Sequence, residues 1–415
     1  MIAPERRTRW DLTAAVAVAV AVLAVATALW WTSDARRTTL TTAAGGAPGK
    51  ATSAAGSGLL PTALTEAWQA PSPATPIPLA ADGTAVTGAG GVVAGRDLRS
   101  GEVRWSYRRD RPLCTVAAAF HHVVAVYQRS ETCSEVTALG WADGRRGPQR
   151  TGPVESPTRL VAAGNLVAAT GRHYLEVWRS DLVRTLAYGR LPTPVQPATQ
   201  PRPDCVHDSM ALSDGGLGGG KLGGDKLAVV EQCPGERVRL TVQRSDPKEP
   251  DHPEVIFSTL LSGQQAQVIG LNGERVAVAL PDPARLAVLD GRGAEVAEYP
   301  LTVPNADLRI PPGALADVTE TPTGIYWFTG SATVALDTGD LRPRWTRAGS
   351  LGTGSEVAGR LLLPVPGALA VLDTTTGQQL RALPVNRGDY RGPVGTADSG
   401  GVVLEQRGDT LVALR

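Results

Sequence analysis

The stretch GVVAGRDLRSGEVRWSY at residues 91–107 joins two runs of strand-forming residues through a turn that starts at Asp97 and includes Gly101. The second run reaches Trp105. An aspartate side chain can accept hydrogen bonds from turn amides, and glycine tolerates the positive φ that such turns require. The stretch therefore predicts a β-hairpin.

This hairpin pattern returns along the chain. Its copies are RLAVLDGRGAEVAEYP (285–300), ATVALDTGDLRPRWTR (332–347), GALAVLDTTTGQQLRALPV (367–385) and, in degenerate form, EVTALGWADGRRGPQR (135–150). The corresponding turn residues are Asp290, Asp337, Asp373 and Gly377. Two further short strands precede each clear copy, so one unit holds four strands. Strand repeats of about 40–50 residues are typical of β-propellers. Another β-array, such as a pair of sandwiches, is the alternative.

The repeats predict an all-β fold, a β-propeller of four-stranded antiparallel blades after one N-terminal transmembrane helix. Eight units are expected, at residues 77–108, 114–150, 157–190, 205–258, 265–300, 315–348, 352–385 and 392–415, the last completed by 60–70. Seven blades would result if the poorly marked third and fourth units were one. We expect a strand near Trp68 to pair with the strand that ends near Leu414, because ring closure removes the open sheet edge.

The motifs GRDLRSGEVRW, VALDTGDLRPRW and AVLDTTTGQQL resemble the PQQ-like repeat. This repeat occurs in quinoprotein dehydrogenases and in bacterial envelope scaffolds that share their fold, and the resemblance extends from residue 61 to the C-terminus. In the repeat, Trp68, Trp105 and Trp345 hold positions that we expect to pack one blade against the next. Trp141 and Trp178 lie in less regular units and are expected to be exposed contacts.

The resemblance also suggests quinone chemistry as a function to be tested on the residues. Quinoprotein dehydrogenases carry two adjacent cysteines over the cofactor, together with carboxylate and amide ligands for calcium. This sequence has no Cys-Cys dipeptide, and the repeated aspartates are explained by turn hydrogen bonds and not by a calcium loop. We therefore expect no cofactor, no metal and no catalytic residues.

The chain has four cysteines, which allow three pairings by number alone. Cys114 and Cys205 each open the first strand of a unit, and Cys133 and Cys233 each follow the second strand. Because the start of one strand adjoins the end of its antiparallel neighbour, we predict disulfides Cys114–Cys133 and Cys205–Cys233. A zinc site is the alternative, but the sequence lacks the close CxxC spacing. Disulfides indicate an oxidising compartment.

The N-terminal stretch LTAAVAVAVAVLAVATALWW, residues 12–31, is long and apolar enough to cross a bilayer. Basic residues at 6, 7 and 9 precede it, which predicts a cytoplasmic N-terminus of residues 1–11. The alternative is a signal peptide cleaved after the Ala26-Thr27-Ala28 site. Residues 32–59 are rich in Ala, Gly, Thr and Ser, which predicts a flexible extracytoplasmic linker, and residues 60–415 form the propeller.

Charge and composition restrict the partners. The formal net charge of +1 argues against a nucleic-acid binder. We predict a non-catalytic, single-pass membrane protein whose monomeric extracytoplasmic propeller is a protein–protein interaction scaffold in the bacterial cell envelope. The alternative is a ligand- or cofactor-binding propeller, a quinoprotein-like enzyme or sensor, that uses the central funnel.

Overall fold

The structure of the chain is a computed structural model that describes residues 9–33, 36–43, 63–192, 200–213, 226–311 and 313–415. It contains one α-helix, α1 (Arg9–Thr32), and a short 3-10 helix at Asn305–Leu308. The other regular elements of the described residues are β-strands. The predicted all-β domain after one N-terminal apolar helix is therefore confirmed.

The strands are numbered in chain order. The first two are β1 (Thr38–Thr41) and β2 (Glu66–Pro71). Blade 1 has β3 (Leu79–Ala81), β4 (Thr84–Ala89), β5 (Val92–Asp97) and β6 (Val103–Arg109). Blade 2 has β7 (Leu113–Ala119), β8 (His122–Arg129), β9 (Thr132–Gly140) and β10 (Arg146–Thr151). Blade 3 has β11 (Leu160–Ala163), β12 (Leu166–Ala169), β13 (Tyr174–Arg179) and β14 (Arg184–Gly189). Blade 4 has β15 (Val206–Ser213), β16 (Lys226–Gln232), β17 (Arg239–Arg244) and β18 (Val255–Leu260).

The second half continues in the same way. Blade 5 has β19 (Gln267–Leu271), β20 (Arg275–Leu280), β21 (Arg285–Asp290) and β22 (Glu295–Pro300). Blade 6 has β23 (Asp317–Thr321), β24 (Gly324–Phe328), β25 (Ala332–Leu336) and β26 (Pro343–Ala348). Blade 7 has β27 (Ser355–Val357), β28 (Arg360–Val365), β29 (Ala368–Asp373) and β30 (Gln379–Pro384). Blade 8 has β31 (Val394–Ser399), β32 (Val402–Arg407) and β33 (Thr410–Leu414), and β2 completes it.

The strands form eight sheets, one for each blade. The eight-blade prediction is confirmed, and the poorly marked third and fourth units are separate sheets. Neighbouring blades bury their faces against each other, and the large hydrophobic clusters combine residues of two adjacent blades. Burial of apolar area between blades is therefore what holds the ring together.

The ring is closed by strands from the two ends of the chain. In blade 8 the strand order is β2-β33-β32-β31, and β2 pairs antiparallel with β33 from Glu66 opposite Leu414 to Pro71 opposite Thr410. Predicted closure by the terminal strands is confirmed. Pairing the last strand in this way leaves no gap in the ring of sheets.

Strand β1 corrects one part of the predicted organisation. It lies within residues 32–59, which we expected to be a flexible linker, yet it pairs antiparallel with β6 as a fifth strand of blade 1. Leu40 lies opposite Tyr107 and packs against the hydrophobic cluster of blades 1 and 2. A short polar segment can order in this way because an existing sheet edge supplies the hydrogen-bond partners. The rest of the predicted linker lies outside the described residues, apart from the few around β1.

The propeller has two distinct faces because all blades share one topology. On one side lie the connections between blades and the loops between second and third strands, such as residues 110–112 and 170–173. We call this side the loop face. On the other side lie the turns between first and second strands and between third and fourth strands, which we call the turn face.

Three tryptophans of fourth strands dock onto glycine turns of the next blade. Trp105 lies against Gly144 and donates its indole hydrogen bond to the Trp141 carbonyl at 2.8 Å. Trp68 lies against Gly101 and donates to Leu98 at 3.0 Å, and Trp345 lies against Gly377 and donates to Thr374 at 3.2 Å. Phe257 occupies the equivalent place against Gly293. A glycine is needed because any Cβ would enter the space of the ring.

We expect Gly144→Ala to destabilise the protein much more than Gly83→Ala. Both glycines have a φ of 71°, so both substitutions carry the same backbone strain, about 1 kcal/mol. A Cβ on Gly144 would lie 2.6 Å from the Trp105 ring, whereas a Cβ on Gly83 meets nothing within 4 Å. The total cost for Gly144→Ala should reach about 3 kcal/mol because the indole must move. Thermal unfolding followed by circular dichroism measures both, and equal losses would contradict the docking interpretation.

Candidate functional site

The first strands of the blades surround a central channel, because the first strands of several neighbouring blades contact one another. Three aspartates lie on these strands: Asp208 on β15, Asp317 on β23 and Asp398 on β31. Burial raises the pKa of all three. Asp317 is nevertheless exposed by surface area, as expected for a side chain in a concave channel. The repeated motifs do not indicate this set, because none of the three aspartates belongs to one.

A buried polar cluster lies between blades 3 and 4, close to the loop face. The Tyr188 hydroxyl and the Thr241 hydroxyl each donate to the Glu231 carboxylate at 2.5 Å, and the Arg202 guanidinium lies 3.8 Å from it. Burial raises the pKa of Glu231, although the two hydroxyl hydrogen bonds oppose this shift. Tyr188 stacks on His207 with ring centroids 5.3 Å apart. The cluster joins β14, β15, β16 and β17, so it fixes blade 3 to blade 4.

His207 is the most perturbed base of this cluster. It is 1% exposed, and its Nδ1 lies 3.1 Å from the Gly171 carbonyl oxygen, while Nε2 has no hydrogen-bond partner among the described residues. Burial lowers its pKa from 6.5 to about 4. The imidazole is therefore neutral at physiological pH and donates from Nδ1. The adjacent Asp208 also has one buried carboxylate oxygen, Oδ1, without a partner among the described residues.

We expect His207 to make the protein less stable as the pH falls from 6.5 towards 4. In this window the unfolded state binds a proton at the histidine and the folded state does not, so the free energy of unfolding decreases with falling pH. The full effect should be about 3 kcal/mol. Urea unfolding at several pH values should show a smaller slope for His207→Gln than for the unaltered protein. His121→Gln, which removes an exposed histidine, should keep the original slope.

Asp208 acts in the opposite direction at the acid end of this window. Its pKa is raised by burial, so the folded state takes up that proton more readily than the unfolded state, and stability increases as pH falls towards 3.8. The contribution of His207 is therefore given by the difference in slope between His207→Gln and the unaltered protein. The slope of either protein alone also contains the contribution of Asp208. An unchanged slope in His207→Gln would contradict the assignment.

Both predicted disulfides are present, Cys114–Cys133 and Cys205–Cys233. Each lies at the loop face within one blade. Cys205 and Cys233 flank the paired ends of β15 and β16, as the repeat predicts. Cys133 differs slightly, since it lies at the start of the third strand, β9, and not at the end of the second. The bond therefore clamps the loop end of β8 between its two neighbours.

The repeated aspartates all lie on the turn face and bond their own turns. Asp290 Oδ1 accepts from the Arg292 and Ala294 amides at 2.9 Å, and these bonds lower its pKa. A hydrogen bond from the Thr376 amide likewise lowers the pKa of Asp373. The other members have equivalent turn bonds: Asp97 and Asp337. The positive-φ position is a glycine in three of these turns, with φ of 76° at Gly101, 83° at Gly293 and 70° at Gly377, and it is Leu341, with φ of 61°, in the turn of Asp337. These aspartates stabilise turns and lie in four separate blades.

The turn face also carries an open groove between blades 4 and 5, with a volume of about 840 Å³. Its apolar lining comes from Ile256 and Val296, which are 41% and 52% exposed. The charged side chains of the lining are Lys226, Arg244, Arg275, Arg292, Glu274 and Asp290. Four cations against two carboxylates make the groove cationic. Sequence analysis missed it because its residues come from two blades, on six strands and two turns.

Two tryptophans correct a prediction. We expected Trp141 and Trp178 to be exposed contacts, but they are 8% and 0% exposed. Trp178 donates its indole hydrogen bond to the buried Glu176 carboxylate at 2.7 Å, and the guanidinium of Arg150 from blade 2 lies 5.6 Å above its ring. Irregular units still pack blade against blade, so a departure from the repeat pattern does not indicate exposure.

The residues do not fit the quinone site that the resemblance to quinoprotein dehydrogenases suggests. The cysteines are joined in pairs within blade 2 and within blade 4 at the loop face, so they provide no ring of adjacent cysteines. In the part of the chain that the structure describes, no three His, Cys, Asp or Glu side chains are grouped to hold a metal ion.

Comparisons with known proteins agree with the fold. No protein-family profile and no curated protein matches the chain. Among solved structures, BamB from Moraxella catarrhalis superposes with a TM-score of 0.51 and 13% identity, over 85% of this chain and 99% of BamB. Sqt1 from Saccharomyces cerevisiae gives 0.51 and 11%, over 85% and 97%. The quinohemoprotein alcohol dehydrogenase ADHIIG from Pseudomonas putida HK5 gives 0.49 and 12%, over 85% and 76%.

Identities this low establish a shared fold and nothing more. The repeat motif, the eight sheets and the superposition on BamB all indicate the same fold. The conclusion is that this chain is an eight-bladed β-propeller whose fold is similar to that of BamB.

Proposed function

We propose that this protein is a non-catalytic, membrane-anchored propeller that acts outside the cytoplasm as a protein–protein interaction scaffold of the bacterial cell envelope. The observation that carries the proposal is the exposed apolar helix α1 joined to a rigid, disulfide-bonded ring. A helix of this kind requires an apolar surrounding, and a rigid ring presents surfaces without any need for a reaction centre.

The membrane anchor is supported by the length and surface of α1. It has 24 residues, about 36 Å at 1.5 Å per residue, which exceeds a hydrocarbon core of about 30 Å. Its most apolar 18-residue stretch is not buried by the rest of the protein. Trp30 and Trp31 lie at its end, where aromatic side chains favour the membrane interface. Basic residues before the helix favour a cytoplasmic N-terminus, so the propeller would be extracytoplasmic.

The two disulfides support the same location. Disulfide bonds persist in oxidising compartments and are rare in the cytosol. All four cysteines of the chain are used in these bonds. The oxidised pairs and the anchor together favour a propeller on the outer side of the cell membrane.

The surface that we assign to a partner protein is the groove between blades 4 and 5. A cationic rim around exposed Ile256 and Val296 suits a segment with acidic residues and an apolar side chain. Some of the rim charges are held in place by the protein itself: Lys226 Nζ donates to the Gly273 carbonyl at 2.5 Å, and Arg244 pairs with Glu254 at 3.3 Å. The groove is thus partly preorganised.

Charge reversal in the groove should strongly reduce capture of the partner. We expect Arg244→Glu combined with Arg292→Glu to reduce the amount of one crosslinked membrane protein by at least about tenfold, because two rim contacts become repulsive. Affinity capture from crosslinked membranes followed by mass spectrometry measures this. The control is Arg99→Glu with Arg145→Glu, an equal charge change at exposed turns of blades 1 and 2. Equal capture by both double variants would contradict the assignment of the groove.

A ligand-binding propeller is the second candidate, favoured by the raised pKa of Asp208, Asp317 and Asp398 on the channel strands. Carboxyl groups on the strands of the channel can form hydrogen bonds with a polar ligand. Purified protein with an absorbing cofactor, or with bound calcium, would support this candidate. A colourless protein that captures its partner through the groove would support the scaffold.

A further inference from the structure

The connection between α1 and the propeller is short and is fixed at one point of the ring. α1 ends at Thr32 and β1 begins at Thr38, so five residues connect them. Even fully extended, these residues reach at most about 18 Å. The first residue of β1 must therefore lie near the end of the helix, whatever the length of the chain that follows β1.

Strand pairing determines which face of the propeller this point belongs to. Thr38 lies opposite Arg109, the last residue of β6, and Thr41 lies opposite Ser106. Residue 109 leads directly into residues 110–112, which connect blade 1 to blade 2 on the loop face. The side chain of Arg37 also pairs with Asp110 of that loop at 3.3 Å. The chain thus enters the propeller at the loop face and runs along β1 towards the turn face.

The helix end carries side chains suited to the membrane interface. The guanidinium of Arg36 lies 4.7 Å from the ring centroid of Trp31, so a cation and an aromatic ring meet just before β1. Tryptophan and arginine both favour the headgroup region. The same loop face presents Ile77, 58% exposed, on the connection between β2 and β3.

We infer that the loop face of blades 8, 1 and 2 lies against the bilayer surface, and that the turn face points away from it. The inference rests on the proposed membrane anchor. The partner of this loop-face sector is the lipid headgroup layer. β6 has seven residues, so the turn face of blade 1 would lie about 23 Å farther out. The groove between blades 4 and 5 is on that outward face, accessible to an extracytoplasmic partner.

The covalent connection, and not charge, holds the loop face at the membrane. Around blade 1 the loop face carries residues 72–78, 90–91 and 110–112, whose only charged members are Asp110 and Arg111, a net charge of zero. The two further cations at this point, Arg36 and Arg37, lie on the covalent connection itself. Anionic lipid would attract a basic surface, and salt would weaken that attraction. The orientation should therefore be the same on neutral and on anionic lipid, and at low and at high salt.

Single cysteines test the orientation directly, because all native cysteines are in disulfides. Glu131→Cys places a label on the loop face of blade 2, and Arg145→Cys places one on the turn face of the same blade; both side chains are exposed. The full-length protein is reconstituted in phosphatidylcholine vesicles that contain a headgroup-attached quencher. We expect several-fold stronger quenching of the label at position 131, unchanged by anionic lipid or salt. Equal quenching at the two positions would overturn the inference.

Two insertions test whether the short connection and β1 set the orientation of the propeller. A flexible Gly/Ser linker of about 20 residues after Ser33 should remove the difference between the two labels, because the ring is then free to turn. The same linker after Ala43 leaves the short connection and β1 intact, and should preserve the difference. A difference that persists with the first insertion would mean that the loop face adheres by itself, against our inference. Protein that does not float with the vesicles would instead overturn the membrane anchor, and this orientation with it.

Discussion

A chain that begins at Ile77 will be far less stable than one that begins at Leu59. Both truncations lack α1 and β1, but only the first lacks β2. It loses the ladder between β2 and β33 and the docked Trp68, whose indole donates to Leu98 in blade 1. Trp68 is half-buried, so loss of its ring costs about 3 kcal/mol, and each ladder hydrogen bond adds roughly 1 kcal/mol. We expect a total loss of at least about 5 kcal/mol, or no folded protein.

Urea and thermal unfolding of the two purified truncations measure this difference. Trp68→Ala in the full chain is the matched point change: it keeps the β2 ladder, removes only the docked ring and should cost roughly 3 kcal/mol. The open ring of the shorter chain should also aggregate, because β33 then exposes a free edge. Identical melting temperatures for the two truncations would contradict closure by β2.

Glu405→Leu is expected to be the most destabilising single substitution. The Glu405 carboxylate has no exposed side-chain area and accepts hydrogen bonds from Arg387 at 2.7 and 3.0 Å and from Arg407 Nε at 2.8 Å. The Arg387 guanidinium also donates to the carbonyls of Val365 and Ala368 in blade 7. Removal of the carboxylate leaves two poorly exposed guanidinium groups without their counter-charge, which costs about 3–5 kcal/mol.

The coupling between these charges provides a sharper measurement. Arg387→Leu with Glu405→Leu should cost clearly less than the sum of the two single changes, because the second change removes a charge that the first left unpaired. The exposed ion pair of Arg309 and Asp282 is the control, and Arg309→Ala should cost less than about 1 kcal/mol. Strictly additive losses at 387 and 405 would show that the pair is not coupled.

The cluster also shows how position in the fold changes the meaning of a motif. Residues 387–389 read Arg-Gly-Asp in the sequence, a tripeptide that could suggest a surface contact. In the folded protein Arg387 is 8% exposed and is held by Glu405, so it is not accessible to a partner. Nothing near residue 387 in the sequence indicates this, because Glu405 belongs to a different element.

Much of the architecture was predictable because its signals are local and repeated. An aspartate, a glycine of positive φ and an alternating strand recur in several units, so blade boundaries follow from turn chemistry and period. The disulfides were predictable for the same reason, since their cysteines hold equivalent places in two repeats. Terminal closure followed from the one unit that lacked a strand.

Features that join residues of different blades or elements required the tertiary structure. β1 is a strand only because the edge of β6 is there to pair with it, and its Thr-rich sequence alone indicates a linker. His207, Glu231 and Glu405 are buried polar groups that have partners on other elements. No residue spacing in the sequence predicts these contacts. The same holds for the groove between blades 4 and 5. The sequence by itself determined the repeating blade, because local hydrogen bonds specify it, whereas contacts between blades depend on distances that only the closed ring sets.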